Sequence, residues 1–384
     1  MSSIAPSATT GKPGNKIVYI DHLKVILTVL VILHHTFITY GAPGGWYYFQ
    51  KTTNEIIKIP MTLFVAVNQS FFMGFFFFLS ALFVPSSYNK KGPAKFIKDR
   101  VIRLGVPLIF YSFILGPAMN YLVYYFGYGH HITFIQYLRG YDDWIDFGVL
   151  WFAAALLLFT LLYVAWRSVV PASGPKPPTG LSFGKIILFA AGLGAISFLV
   201  RLIFPIGWIL KPVGFQLGHF TQYIMLFIAG TWASKYNWLA GITNKQGRKG
   251  VWIAMLLVVI VFPLFYMLLE TIKFPSSYFS GGLHWPALMY ALWEQLTGLA
   301  IITALIAYGK RSLNGASANW GKLSRSTFAV YIFHPLVVIS LTIAFRNINV
   351  EPALKLLFVA PLAVTGSFLL GRIIVAIPGV NKII

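Results

Sequence analysis

Apolar runs long enough to cross a bilayer recur from one end of this 384-residue sequence to the other, separated by short polar breaks. About 20 such residues in a helix span the hydrocarbon core. Inside that core each backbone N–H and C=O must find its partner within the protein, which restricts spans to helices or closed barrels. Ten spans are expected, at about 17–40, 60–84, 103–126, 148–166, 184–204, 218–236, 251–271, 286–308, 326–346 and 353–376. The breaks hold turn and loop residues, as in 171-PASGPKPPTG-180 and 243-TNKQGRKG-250. Only 10% of the residues are charged, where a soluble domain carries roughly 25%. The expected fold is an all-α polytopic membrane protein, with about ten transmembrane helices in one bundle over residues 17–376. A flexible tail is expected at 1–16 and a short tail at 377–384. The run MSSIAPSATTGKPGNK lacks the apolar core of a cleaved leader, so the first span is expected to stay as an anchor.

The net charge of +21 raises the question of nucleic acid. The basic residues are spread along the chain, with no compact basic domain and no RNA-binding motif, so nucleic acid is not an expected partner. The lipid bilayer explains them better. With a cytoplasmic N-terminus, 21 of the 30 Lys and Arg fall on inside segments and eight on outside ones, leaving Lys24 inside the first helix. This asymmetry predicts both termini in the cytoplasm. Asp142, Asp143 and Asp146 then cluster outside, next to His130 and His131, which would bind sugar or nothing. The absence of cysteine excludes disulfides, thiol catalysis and Cys-ligated zinc.

The first span, 21-DHLKVILTVLVILHHTFITYG-41, carries Asp21, Lys24, His34 and His35 within an otherwise apolar run. Ionisable groups at such depth are costly and turn inward, away from lipid. Lys24 and His35 are about 20° out of phase and about 16 Å apart along a helix. Asp21 is three residues before Lys24 and can pair with it. One face therefore reads Asp21, Lys24, Thr28, His35, and His34 points away. Two readings stand: a structural polar seam between helices, or one wall of a reaction cavity. Adjacent histidines diverge on a helix, and no His-x3-His or Glu-x-x-His spacing surrounds them, so no metal site is expected.

The spacing Lys24-x10-His35 resembles the Arg-x10-His motif of the acyltransferase-3 family, the integral membrane O-acyltransferases that acylate carbohydrates. Lys replaces Arg here, as in a branch similar to the glucan biosynthesis protein C group. Further down, 75-FFFFLSALFVP-85 is similar to the family's Phe-rich second helix, with Ala81 where a Gly is usual. The run 95-KFIKDRVIRLGVP-107 resembles its Arg-x-x-Arg stretch through Arg100 and Arg103. The triplet 150-LWF-152 resembles its Leu-Trp-Phe, with Val149 where a His often precedes, and 326-STFAVYIFHP-335 resembles its Tyr-x-x-His motif through Tyr331 and His334.

The resemblance implies an acyl group, acetyl or succinyl, moved from cytoplasmic acyl-CoA to a hydroxyl of a cell-envelope or exported carbohydrate, in a multi-pass protein of the inner membrane. Acyl-CoA is then a co-substrate, and no permanently bound cofactor is expected. His35 suits the general base or acyl relay, because imidazole titrates near neutrality. Lys24 would position the donor or hold Asp21. Arg100 and Arg103 would take the CoA phosphates, since Arg pairs well with phosphate; ordinary positive-inside anchoring competes with that reading. Glu294, mid-span in 290-YALWEQLTG-298, would support a histidine or make a structural hydrogen bond. Tyr331 and His334 would line the reaction cavity or join helices. His219 and Gln222 read as interfacial. Trp46, Tyr47 and Tyr48 fit an outer aromatic belt, with sugar stacking as an extra role. A homo-oligomer or a separate extracytoplasmic transferase is left open as a partner. The rival class is a transporter or flippase, which a matched pair of broken helices would favour; the sequence shows no such pair.

Overall fold

The computed structural model describes residues 17–170, 180–315 and 317–384, so the expected tail at 1–16 and most of the 171–180 break lie outside the described residues. Ten long helices follow one another: α1 (Val18–Tyr40), α2 (Glu55–Lys91), α3 (Pro93–Gly127), α4 (Gly148–Val169), α5 (Phe183–Arg201), α6 (Leu217–Tyr236), α7 (Asn244–Thr271), α8 (Trp285–Ser312), α9 (Ala318–Ala344) and α10 (Pro352–Ala376). Among the described residues nine of these are long and apolar enough to cross a membrane, α6 being the exception. Its N-terminal half carries His219, Thr221 and Gln222, all buried, so the polarity that weakens its apolar signal is spent inside the protein. No strand occurs among the described residues, where a single antiparallel bridge joins Leu210 to Phe215.

Four helices start five or more residues earlier than the apolar pattern predicts, α2, α3, α7 and α9, and capping explains the first two. At α2 the Asn54 side chain accepts from the Ile56 and Ile57 amides, and Glu55 complements the positive helix end. At α3, Gly92 takes a φ of +73° and Pro93 supplies a preset first turn. The extra turns hold Lys95, Lys98 and Arg100. Inside the helices, widened π turns at Val101–Gly105, Tyr111–Leu115 and Leu256–Val261 each end two residues before a proline: Pro107, Pro117 and Pro263. A proline lacks the N–H that would close the ladder and its ring crowds the carbonyl one turn back, so the preceding turn opens.

α1 packs against α2, α8, α9 and α10, which makes it the central helix. α2 also packs on α6 and α8, α5 lies against α6 and α8, and α3 packs on α4 and α9. α7 sits outermost on α8, with only 6% of its apolar window buried. Small residues allow the close crossings. A Cβ on Gly230 of α6 would lie 2.7 Å from the Ala81 Cβ of α2, so a glycine on the facing helix gives the close approach at Ala81, where the family usually has its own glycine.

Candidate active site

The two ends of the polar face on α1 meet different neighbours. Near its start Lys24 and Asp21 pair at 3.8 Å, one turn apart, and the Lys24 ammonium lies 5.0 Å over the Phe83 ring of α2. Thr28 donates to the Lys24 carbonyl oxygen at 2.8 Å, so its hydroxyl stays with its own helix. Three turns on, the His35 ring stacks on Trp46 at 4.2 Å and on His334 of α9 at 5.3 Å. His34 diverges as helical spacing requires, meeting Phe72 of α2 at 4.9 Å.

His334 owes its state to the residue after it. Pro335 has no N–H, so the Tyr331 carbonyl one turn back loses its helical donor. His334 Nδ1 sits 2.9 Å from that carbonyl oxygen. A carbonyl only accepts, so Nδ1 carries the proton and a neutral ring leaves Nε2 as a bare lone pair. Among the described residues Nε2 has no partner and is buried, as are His35 Nδ1 and Trp46 Nε1. Three near-parallel rings thus hold three buried polar atoms that none of the described residues satisfies. Buried polar groups are ordinarily paired, and an unpaired one costs about 1–3 kcal/mol. Such a cluster is what a site for a polar reactant presents.

The surrounding motifs converge on this point. The Tyr331 hydroxyl donates to the Val149 carbonyl oxygen, so the position that lacks a histidine side chain still contributes its backbone. Phe77 packs on Phe152 at 4.5 Å and Trp151 stacks on Tyr223 at 5.4 Å, joining the Phe-rich helix to the Leu-Trp-Phe triplet and to α6. The Tyr47 and Tyr111 hydroxyls meet at 2.5 Å. They sit over Gly148, which has a φ of +43° and where a Cβ would lie 2.6 Å from the Tyr111 oxygen. Trp46, expected in an outer belt, is instead part of the histidine stack.

Glu294 is not part of this cluster. Its carboxylate accepts from Arg201 Nη2 at 2.5 Å and from Gln295 Nε2 at 3.1 Å, and lies 3.2 Å from His219 Nδ1. Arg201 also donates through Nε to the Gly218 carbonyl oxygen at 3.0 Å. Arg201 and Glu294 are 0% and 1% exposed. The sequence reading missed Arg201, which closes an apolar run and so resembles a loop charge. It also placed His219 and Gln222 at the interface, whereas both are buried: Gln222 donates to the Ser70 carbonyl oxygen and to Gln295 Oε1 at 2.7 and 2.8 Å. Their signal was a second intramembrane charge of opposite sign to Glu294, for which a partner had to exist.

Arg100 and Arg103 lie at the start of α3, apart from both clusters, Arg103 exposed and Arg100 half-buried with its guanidinium 5.1 Å from the Phe96 ring. The structure therefore brings His35, Tyr331 and His334 together, pairs Asp21 with Lys24, and sets Glu294 in a separate ion cluster. A family model described as an acyltransferase domain matches residues 17–372. No curated protein and no solved structure matches the chain.

Proposed function

The chain belongs to the acyltransferase-3 family, whose model covers nearly its whole length, and on that premise we propose that it moves an acyl group, acetyl or succinyl, from acyl-CoA to a carbohydrate hydroxyl at His35. The observation that carries this reading is the stack of His35 and His334 with unpartnered Nδ1 and Nε2 atoms. In this reading one imidazole takes the proton as the sugar oxygen attacks the thioester carbonyl. The tetrahedral adduct collapses to the ester and CoA thiolate, and the imidazolium returns the proton to the thiolate. The Trp46 indole N–H, which has no partner among the described residues, donates to the oxyanion of that adduct in this reading.

The termini lie in the cytoplasm in this scheme, which puts Arg100, Arg103, Lys95 and Lys98 at the inner mouth, where CoA phosphates would dock. The acyl end of the donor then reaches about 16 Å along α1, from the level of Lys24 to that of His35. Glu294 and Arg201 hold α5, α6 and α8 around the site rather than touching substrate.

The test is acyl-CoA turnover by purified protein in lipid nanodiscs, followed as free CoA with a panel of glycan acceptors. CoA release that needs an acceptor, is abolished in His35→Ala and is reduced in Lys24→Ala supports the reading. Full activity in His35→Ala refutes the site, and a folded wild type that neither binds acyl-CoA nor releases CoA refutes the transferase and brings the transporter class forward.

A further inference from the structure

A cleft of about 460 Å³ opens where the end of α3, the short helix Phe134–Arg139 and the following loop meet the turn after α1. Small-molecule sites run from about 300 to 1,000 Å³. Tyr47, Tyr124, Tyr137 and Tyr141 line it, together with Asn120, Asp142 and Asp143. Tyr124, Tyr137 and Tyr141 follow one another with ring centres 5.3 and 5.7 Å apart and faces tilted by 48° and 41°. Asn120 donates to the Tyr141 hydroxyl at 3.2 Å, which fixes that ring. Burial, with Tyr141 and Asp143 beside it, pushes the Tyr137 phenol up to about 12, so it stays a neutral hydrogen-bond donor.

The ordinary explanation for tyrosines here is an interfacial belt. Two features argue against it. Belt rings face lipid, whereas these face a concave, carboxylate-bearing space. Tyr47 also connects that space to the histidines: its ring meets Trp46 edge-on at 5.2 Å, and Trp46 stacks on His35. The inner wall of the cleft is thus one residue removed from the stack that holds the unpartnered nitrogens.

The lining also defines the ligand. Among the described residues that form it none is basic, and Asp142 and Asp143 are exposed at its rim. An anionic ligand would meet like charge with no counterion, which selects against it. The tyrosines form an open row rather than a box closed round one cation. A row of aromatic faces with carboxylate and amide groups between them matches a ring that is apolar on its faces and carries hydroxyls at its edge. We propose that this cleft is the acceptor subsite and takes an uncharged glycan, with a sugar ring on Tyr137 and Tyr141 and the reacting hydroxyl passing Tyr47 towards His35 and His334. This rests on the transferase reading and adds the location and charge class of the acceptor.

The test uses the full chain in nanodiscs with an uncharged hexose oligosaccharide and a uronic-acid oligosaccharide of the same length. Binding is read by calorimetry, independently of turnover, and KM is read separately for acceptor and acyl-CoA. Tyr137→Ala and Tyr141→Ala are each expected to weaken binding of the uncharged glycan and raise its KM about tenfold, a typical loss for an aromatic contact, with the acyl-CoA KM unchanged. The double change Asp142→Lys, Asp143→Lys is expected to admit the uronic-acid glycan, a gain that misfolding cannot imitate. The proposal is overturned if the wild type transfers to an uncharged glycan whose binding and KM ignore both tyrosine variants, or if it prefers the anionic or a cationic glycan. Should no acceptor stimulate CoA release, the transferase reading fails, and calorimetry still decides the cleft: tyrosine-dependent glycan binding keeps it, and no glycan binding removes it.

Discussion

Removing either partner of the Arg201–Glu294 pair is expected to cost far more than removing both. Arg201 and Glu294 are 0% and 1% exposed and meet at 2.5 Å. Glu294→Leu leaves a buried guanidinium with the Gly218 carbonyl oxygen, the His219 ring and the face of Tyr290 but no countercharge among the described residues. Arg201→Met leaves a buried carboxylate with Gln295 and His219. Stranding one charge of a buried pair costs about 3–5 kcal/mol, and replacing both by apolar groups is often neutral. Each single variant is therefore expected to lose about 3–5 kcal/mol, a factor of about 100 or more in the folded-to-unfolded ratio. The double variant is expected near wild type, because its helices α5 and α8 then meet through apolar side chains. The assay is detergent-driven unfolding followed by tryptophan fluorescence, completed as a double-mutant cycle. The expected coupling is then about 6 kcal/mol or more, the sum of the two single losses. A double variant that loses the sum of the singles, within the about 0.5 kcal/mol of additive sites, would refute the claim that the two charges act as one unit. Acyl transfer by a stable double variant would further assign the pair to architecture.

Three other perturbations follow from single contacts. Gly148→Ala forces an L side chain into a φ of +43° beneath the Tyr47–Tyr111 hydroxyl pair; a loss of roughly 1–2 kcal/mol is expected, with a raised acceptor KM, and wild-type kinetics would show that the tyrosine pair does not position the acceptor. Pro335→Ala restores an N–H that competes for the Tyr331 carbonyl oxygen now held by His334 Nδ1; the unfolding midpoint is expected to rise, because proline is a poor helix residue by about 3 kcal/mol, while kcat falls severalfold, and an unchanged kcat would sever the proton position on His334 from the rate. Replacing Arg100 and Arg103 by Ala is expected to raise the acyl-CoA KM about tenfold, as befits lost charge-assisted contacts to phosphate, with kcat kept; equal KM values across salt concentrations would refute phosphate docking there.

Much of the local structure was legible. The apolar runs located the helices in order, because lipid leaves a chain only helices or a closed barrel and runs of about 20 residues fit helices. At Asn54 and Pro93 the bounds moved because of a cap that hydropathy does not register. The pairing of Asp21 with Lys24 and the divergence of His34 from His35 follow from turn geometry alone. The bare lone pair on His334 was also written in the order His-Pro, once the carbonyl freed by the proline is followed to its new donor.

What failed were statements about residues whose partners lie on other helices. Arg201 looked like an outer loop charge and His219 and Gln222 like interfacial residues, because nothing nearby in sequence offers them a partner. Glu294 lies 93 positions beyond Arg201, and they meet only because α5 and α8 cross at the right depth and rotation. Trp46 read as belt for the same reason, until α9 brought His334 behind it. By itself the sequence determined the helices, their caps and the residues that share a face, all set by bonds and contacts within a few residues. Which faces meet was decided by the tertiary structure, through close crossings such as Gly230 on Ala81 that set each helix's rotation and depth, and those determine which polar atoms on different helices are paired and which have no partner among the described residues.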